Sequence, residues 1–417
     1  MKFVEETLSV GEDLLKCLRV CLSTNAAEEL SFSPERWAKV ADLASKAGVA
    51  PFLFRSLPIT DSSLGIPRDV ITRWFREYLV NLAWNNTLAQ HLEQVLDAFN
   101  REGIPVILLK GVYLMDFLYP ERGMRTVGDI DILIPPGDKD KALVAMLELG
   151  YSSNVPEMGK DPVHCRCIHP TSDVTVEVHL SIDARTARMP DVQGFWERCQ
   201  PIKVGGNNAN ALSPDDLLVH LCLHLSLHLI VIPLFPQSLR SLLDIGLLIL
   251  RQSDLIRPER VVKVVLQTHG GEQFLVPIQM AGTLLSVPTP VGLSNGFSSG
   301  VSVPAADINL LKNHLLFSCE RNLIDARIPP FVRSSIMADK ANTISGFLGK
   351  VFVSRATLAR RYGESAHWYS ECRKYLMHFR LLMRQHFAPG KWAWGKETLT
   401  LTRHFKGIAD LKGRISP

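Results

Sequence analysis

The sequence predicts an α+β fold in which a small β-sheet, formed within residues 101–205, lies between two helical regions. Three observations lead to this prediction. Residues 1–100 show helical periodicity, and residues 206–290 show it again. Between them, two short runs alternate apolar and polar side chains as strands do. The chain of 417 residues, 46% of them hydrophobic, is long enough for two or three domains with a substantial core.

Residues 1–100 form the first predicted domain. Ser33 followed by Pro34 predicts the start of a helix, because serine accepts a hydrogen bond from a free N–H group and proline fits the first turn. This helix is expected to end at Gly48. A longer helix is predicted over residues 68–100, where apolar side chains recur every three or four positions. We expect that stripe to pack on the next domain.

One strand of the predicted core carries two acids. Ile130, Ile132 and Ile134 alternate with Asp129 and Asp131, so the isoleucines face a core and both carboxylates face the other way. Neighbouring carboxylates repel each other and lose solvation when buried, so they require compensation. A divalent cation bound by oxygen ligands is the common form of it.

A second alternating run, residues 174–180, places valines and leucine on one face and Glu177 and His179 on the other. If the two strands are neighbours, Glu177 joins Asp129 and Asp131 as a third carboxylate. Three such acids suit two Mg²⁺ ions, with Mn²⁺ as the alternative. His179 either contacts a ligand, orients Glu177 or is structural.

A turn before these strands has the composition of a phosphate-binding site. Lys110 and Gly111 lead from a buried strand into a helix, whose first N–H groups bind phosphate oxygens well. Arg125 lies four residues before Asp129 and is expected to orient a carboxylate or contact phosphates. Gly128 predicts close approach of another group to the backbone. The plain alternative is an ordinary turn followed by a solvated loop.

Together these residues resemble a known family. The residues that carry the resemblance are, in order, Leu109-Lys110-Gly111, Tyr119-Pro120, Arg125, Gly128-Asp129-Ile130-Asp131, Glu177-Val178-His179, the segment 212–218, His224, His228 and Leu243-Asp244-Ile245. Over about residues 60–260 the chain resembles the uncharacterised nucleotidyltransferases, which have a polymerase-beta-like fold. Where polymerase-beta-like enzymes usually have Gly-Ser or Gly-Gly, this chain has Lys110-Gly111.

The resemblance implies a nucleotidyltransferase core with a small mixed sheet and Mg²⁺-dependent transfer of a nucleotide from an NTP, with release of pyrophosphate. It implies catalytic and metal-binding roles for the three carboxylates named above. It implies that the nucleotide is held by Lys110, Gly111, Arg125, Gly128, His179, His224 and His228.

The helical region 206–290 follows a predicted loop at residues 205–210. His220, His224 and His228 lie on one side of its first helix. We expect this side to face the nucleotide, to pack against another helix or to bind zinc. Asp244 lies in an apolar run, so we expect it to be buried and paired with Arg240 or one of these histidines.

The C-terminal helical region, residues 305–417, follows a Pro-, Gly- and Ser-rich break at 284–305. Residues 351–417 carry 13 Lys and Arg against 4 Asp and Glu, a net charge of +9, whereas the whole chain has +4. This basic tail predicts an anionic partner, either single-stranded nucleic acid or a membrane surface, or else the charged outer face of a packed helix.

Other segments favour a reduced, cytoplasmic protein without stable membrane insertion. Residues 217–235 are uncharged but contain histidines and a proline, as buried helices do. The eight cysteines show no disulfide spacing, and residues 1–16 are too acidic for a targeting signal. The histidines and cysteines at 164–169 offer three ligands on one strand face, which favours packing over zinc.

The predicted function is nucleotidyl transfer to an acceptor, which is a small molecule, a peptide, a protein or an RNA. Two alternatives keep the same fold: a non-catalytic nucleotide- or partner-binding protein, and a toxin- or antitoxin-like modifier of tRNA or protein.

Overall fold

The computed structural model describes residues 2–22, 30–59, 64–154, 164–182, 192–231, 237–267, 271–293, 297, 303–319, 407 and 411. Within these ranges the chain forms one mixed sheet surrounded by helices, which confirms the predicted α+β class. The basic segment 351–417 lies outside the described residues except for Gly407 and Leu411. The predicted domain boundaries stay predictions.

The described residues contain twelve α-helices. Their bounds are α1 Lys2–Leu22, α2 Pro34–Lys46, α3 Ala50–Ser56, α4 Arg68–Arg101, α5 Lys110–Phe117, α6 Lys139–Glu148, α7 Val192–Arg198, α8 Pro214–Ser226, α9 Ser238–Gln252, α10 Pro258–Gln267, α11 Gly271–Leu285 and α12 Ala305–Ser318. Short 3-10 turns occupy Arg122–Met124, Pro136–Asp138 and Ser253–Leu255, and a π-helical turn occupies Leu227–Val231.

Seven strands form the sheet in the order β3-β4-β5-β2-β1-β7-β6. Their bounds are β1 Ile107–Leu108, β2 Ile130–Leu133, β3 Ser152–Asn154, β4 His164–Ile168, β5 Thr175–His179, β6 Gln200–Val204 and β7 Asn207–Ala211. The central strand β2 runs parallel to β5 and antiparallel to β1, while β1 runs parallel to β7. The sheet is therefore mixed, as the family resemblance implied.

The N-terminal helices follow the sequence signals. Ser33 caps α2 by accepting a hydrogen bond from the N–H of Arg36 at 3.3 Å. On α4, Leu88, Leu92 and Phe99 are fully buried and belong to the same apolar cluster as the isoleucines of β2. The predicted packing of this helix on the sheet is confirmed, and it leaves the opposite face of the sheet to the polar residues.

The predicted loop at residues 205–210 was wrong. Gly205 and Gly206 have φ of 55° and 86° and form the turn of a hairpin between β6 and β7. Asparagines at three of the five β7 positions have low strand propensity and obscured the strand in the sequence. Pairing of β7 with β1 extends the sheet to residue 211.

The apolar run at 217–235 does not form one continuous α-helix. Helix α8, which is buried on nearly all sides, ends at Ser226 and continues as the π-helical turn. Residues 232–236 lie outside the described ranges. Among the described helices, none combines the length and the apolar character that a bilayer crossing needs.

Candidate active site

The site begins with the alignment of two parallel strands. Asp131 of β2 lies opposite Glu177 of β5, and Leu133 lies opposite His179. Because strand side chains alternate, Asp131, Glu177 and His179 share one face of the sheet, while Ile130 and Ile132 are buried on the other. The prediction that these two strands are neighbours in one sheet is confirmed.

Asp131 is the centre of the polar cluster. Its Oδ1 atom lies 3.1 Å from Nζ of Lys110 and 2.9 Å from Nε2 of His179. The same imidazole nitrogen lies 3.7 Å from Oε2 of Glu177. The side chain of Asp131 is 1% exposed, so its charge depends on these partners.

Burial and nearby charges shift the pKa values of Asp131, Asp129 and Lys110. Burial alone would raise the pKa of Asp131, but Lys110 and His179 outweigh it and hold the pKa below its usual range. Burial and the adjacent charge of Asp131 raise the pKa of Asp129. Burial opposes the charged form of Lys110, yet Asp131 and Asp129 raise its pKa above the ordinary value. At neutral pH the cluster therefore contains an ionised Asp131 and a protonated Lys110.

Asp131, Glu177 and His179 together can hold a metal ion, since one ligand atom from each lies within 4.8 Å of the others. Two carboxylate oxygens and one imidazole nitrogen suit a divalent cation. The sequence predicted Asp129 rather than His179 in this set. Asp129 lies just before β2 and lines the same cavity, beside the three convergent ligands.

Helix α5 begins at the edge of this cluster. Leu109 precedes its first turn and supplies no side-chain cap, so the initial N–H groups are not bound by a capping side chain. A Cβ atom on Gly111 would lie 3.1 Å from Cγ1 of Val127, which shows that Gly111 allows the helix to approach the loop before β2. Gly128 differs, because a Cβ atom there would meet nothing within 4 Å.

The buried carboxylate of Asp244 holds the side chain of Arg125 in place. Its Nε donates to Oδ1 of Asp244 at 2.9 Å, and a terminal nitrogen donates to Oδ2 at 2.7 Å. Tyr119 donates to the same Oδ1 atom at 2.8 Å. Arg125 and Asp244 are 4% and 1% exposed. Asp244 is buried as predicted, but its ion-pair partner is Arg125 rather than Arg240 or one of the histidines, which were the expected partners; Arg240 instead donates to the carbonyl oxygen of Thr126 at 2.7 Å.

Helix α4 fixes the loop that carries Arg125. The side-chain amide of Asn81 donates to the carbonyl oxygen of Arg125 at 2.9 Å, and that of Asn85 donates to it at 2.8 Å. The indole N–H of Trp84 donates to the carbonyl oxygen of Val127 at 2.9 Å. The loop therefore owes its shape to polar residues that interrupt the apolar stripe of α4.

Histidines form one wall of the site. Nε2 of His228, in the π-helical turn, lies 3.0 Å from Nε2 of His224 on α8. His220, one turn earlier on α8, is 5% exposed, and neither of its ring nitrogens has a hydrogen-bond partner among the described residues. Burial lowers the pKa of His220 and His224. Both rings are therefore neutral at physiological pH.

These parts enclose a cavity of about 470 Å³. It is lined by all ten residues that the sequence predicted for the site: Lys110, Gly111, Arg125, Gly128, Asp129, Asp131, Glu177, His179, His224 and His228. Their roles stay predictions. Lining residues that sequence reasoning missed include His164, Arg166, Thr175, Gln237, Arg240 and Ser241.

Two sequence signals could have found the missed residues. Arg166 alternates with the buried cysteines of β4, so its face could be read from strand period. Gln237, Arg240 and Ser241 lie at helical spacing around the start of α9 and so share one side of it. The sequence did not indicate that this helix start meets a sheet formed about a hundred residues earlier.

Comparison with models of known protein families shows the family to which this protein belongs. Residues 33–285 match the family described as uncharacterised nucleotidyltransferase. The match covers more than half of the chain and includes every predicted site residue, so the protein belongs to this family. The family assignment indicates transfer of a nucleotide. No curated protein shows a significant match to the chain.

Proposed function

We propose that the protein transfers a nucleoside monophosphate from an NTP to an acceptor with the help of Mg²⁺, releasing pyrophosphate. One observation carries this proposal: the ligand atoms of Asp131, Glu177 and His179 converge beside a lysine at the start of a helix. Carboxylates on a sheet face next to free helix N–H groups are suited to binding a cation and phosphates together.

The carboxylates of Asp131 and Glu177 differ in their exposure to solvent. Asp131 is almost inaccessible, whereas Glu177 is 22% exposed and faces the cavity. Asp129, Asp131 and Glu177 are proposed to hold two metal ions, with His179 either joining them or orienting Asp131. When bound, one ion would activate an acceptor oxygen and the other would neutralise charge on the phosphates.

The cations of the cavity are proposed to hold the triphosphate. Lys110 and the backbone N–H group of Gly111 lie at the start of α5, and Arg125 is kept in place by Asp244. Gly128 leaves the backbone accessible to a ligand, since no atom lies within 4 Å of where its Cβ would be. His224 and His228 are proposed to contact the nucleotide from the opposite wall.

In the reaction, an oxygen of the acceptor bonds to the α-phosphorus while the bond from that phosphorus to the bridging oxygen breaks. Pyrophosphate leaves, and the acceptor proton is released to solvent. The acceptor is proposed to be a small molecule, a peptide, a protein side chain or an RNA end.

The test uses purified protein, Mg²⁺ and each α-labelled NTP in turn, with cell extract as the source of acceptor. An Asp129→Ala/Asp131→Ala variant is compared with Asp138→Ala/Asp140→Ala, which removes two acids at the same spacing near the start of α6. We expect label transfer by the wild-type protein and by the second variant only.

Two other outcomes separate the alternatives. Nucleotide binding without any transfer would indicate a non-catalytic binding protein. Transfer of label specifically to tRNA or protein would indicate a toxin- or antitoxin-like modifier. If the wild-type protein neither transfers label nor binds nucleotide, the proposal is refuted.

A further inference from the structure

The ammonium group of Lys110 contacts the carboxylate of Asp131, which a bound metal ion would also need as a ligand. Oδ1 of Asp131 contacts both Nζ of Lys110 at 3.1 Å and Nε2 of His179 at 2.9 Å. This oxygen thus already has two nitrogen partners, and a carboxylate oxygen of Glu177 lies 3.7 Å from the same imidazole nitrogen. Without another cation, the acidic cluster is closed by the protein itself.

Lys110 has an alternative position for its charge. It is the first residue of α5, so its backbone belongs to the turn where free N–H groups favour phosphates. Its side chain is 19% exposed and lines the cavity, in contrast to the nearly inaccessible Asp131. A lysine side chain has several rotatable bonds, so its ammonium group can be directed to either partner.

A divalent cation and an ammonium group on one carboxylate repel each other. In a largely buried site, like charges a few ångströms apart repel each other far more strongly than they do in water. The metal would therefore bind more readily once Lys110 has left Asp131, and another anion would compensate the charge of the displaced ammonium group. The triphosphate of the nucleotide provides that anion.

We propose that Lys110 is a built-in counterion that keeps the metal site closed until nucleotide arrives. Its ammonium group then moves from Asp131 to the phosphates, and the divalent cation takes its place among the carboxylates. Cation and nucleotide consequently bind together, and the cation alone binds weakly. This inference rests on the proposed function, because it assumes that the cavity accepts a nucleoside triphosphate.

The test measures Mn²⁺ binding by electron paramagnetic resonance, with no nucleotide present. Wild-type protein is compared with Lys110→Met and with Lys203→Met, which removes an exposed lysine of β6 outside the cavity. We expect Lys110→Met to bind Mn²⁺ at least about tenfold more tightly. Lys203→Met should match the wild-type protein.

The same variants are then titrated with a non-hydrolysable NTP in the presence of Mn²⁺. We expect Lys110→Met to bind the nucleotide at least about tenfold more weakly, since it has lost a phosphate contact. Opposite changes in the two affinities are the signature of an exchanging counterion, because a lysine that only supports the fold would weaken both when removed.

Two further variants guard against misfolding. Lys110→Gln keeps a polar group without charge and should behave as Lys110→Met, whereas Lys110→Arg keeps the charge and should resemble the wild-type protein. An unchanged or weaker Mn²⁺ affinity in both uncharged variants would overturn the inference, and so would Mn²⁺ binding to the wild-type protein that nucleotide does not strengthen. Exchange of this kind without label transfer would contradict only the proposed turnover.

Discussion

Replacing Asp244 by asparagine would leave the guanidinium group of Arg125 buried beside a neutral amide. The pair has two hydrogen bonds of 2.9 and 2.7 Å, and its members are only 4% and 1% exposed. Removal of one partner from a buried ion pair leaves an uncompensated charge and costs about 3–5 kcal/mol. We therefore expect Asp244→Asn to lower the free energy of unfolding by about that amount in urea titrations followed by tryptophan fluorescence.

A more exposed ion pair in the same region is the control for this prediction. Arg122 and Asp116 are 37% and 13% exposed, so Asp116→Asn should change the free energy of unfolding by no more than about 1 kcal/mol. The double variant Arg125→Met/Asp244→Leu removes both buried charges and should regain much of the lost stability. If Asp244→Asn is no more destabilising than Asp116→Asn, the reasoning is refuted, because burial of the charge then does not determine how much the ion pair contributes to stability.

Three further predictions follow from buried or open positions around the cavity. Asn85→Ala removes a side-chain amide that donates to the carbonyl oxygens of Arg122 and Arg125, so it should lower the free energy of unfolding by about 1–3 kcal/mol; a loss below about 0.5 kcal/mol would contradict this. Gly128→Ala should fold normally, since its Cβ meets nothing within 4 Å, yet weaken nucleotide binding measured by calorimetry. Unaltered affinity would show that nothing approaches that backbone. Burial lowers the pKa of His220 to about 3. Below pH ~6.5 the unfolded state therefore binds more protons than the folded state. The free energy of unfolding consequently falls as the pH falls, by up to ~1.4 kcal/mol per pH unit. His220→Leu should flatten this dependence in urea titrations between pH ~5 and ~7, and an equally steep slope would refute the assignment.

Local periodicity was sufficient to predict the acid-bearing strands. The alternation of Ile130 and Ile132 with Asp131 fixed which side chains face the core, and the run that contains Glu177 has the same period. Matching polar faces on adjacent strands then brought Glu177 to Asp131. Each of these steps depends on neighbours in sequence or on one strand pairing, which is why they could be inferred without coordinates.

Contacts between distant segments were not predictable in this way. Arg125 and Asp244 are separated by 119 residues, and no pattern within either segment indicates the other. Arg240, one helical turn away, or a nearby histidine was the expected partner of Asp244, but the guanidinium group of Arg240 extends to Thr126 instead. The hairpin of β6 and β7 was missed because its asparagines resemble a loop, and pairing with β6 and β1 gives them a strand conformation.

The link between Asp244 and Arg125 also determines when the cavity can form during protein synthesis. All three carboxylates are translated before α9, which supplies Asp244, Arg240 and Ser241. A nascent chain that ends after β7 would thus present its acids without the helix that holds Arg125. Contacts of such long sequence separation also cost loop-closure entropy before they contribute stabilisation. The cavity is therefore a product of the completed chain through α9, and a fragment limited to the sheet should expose its acids to water without assembling the site.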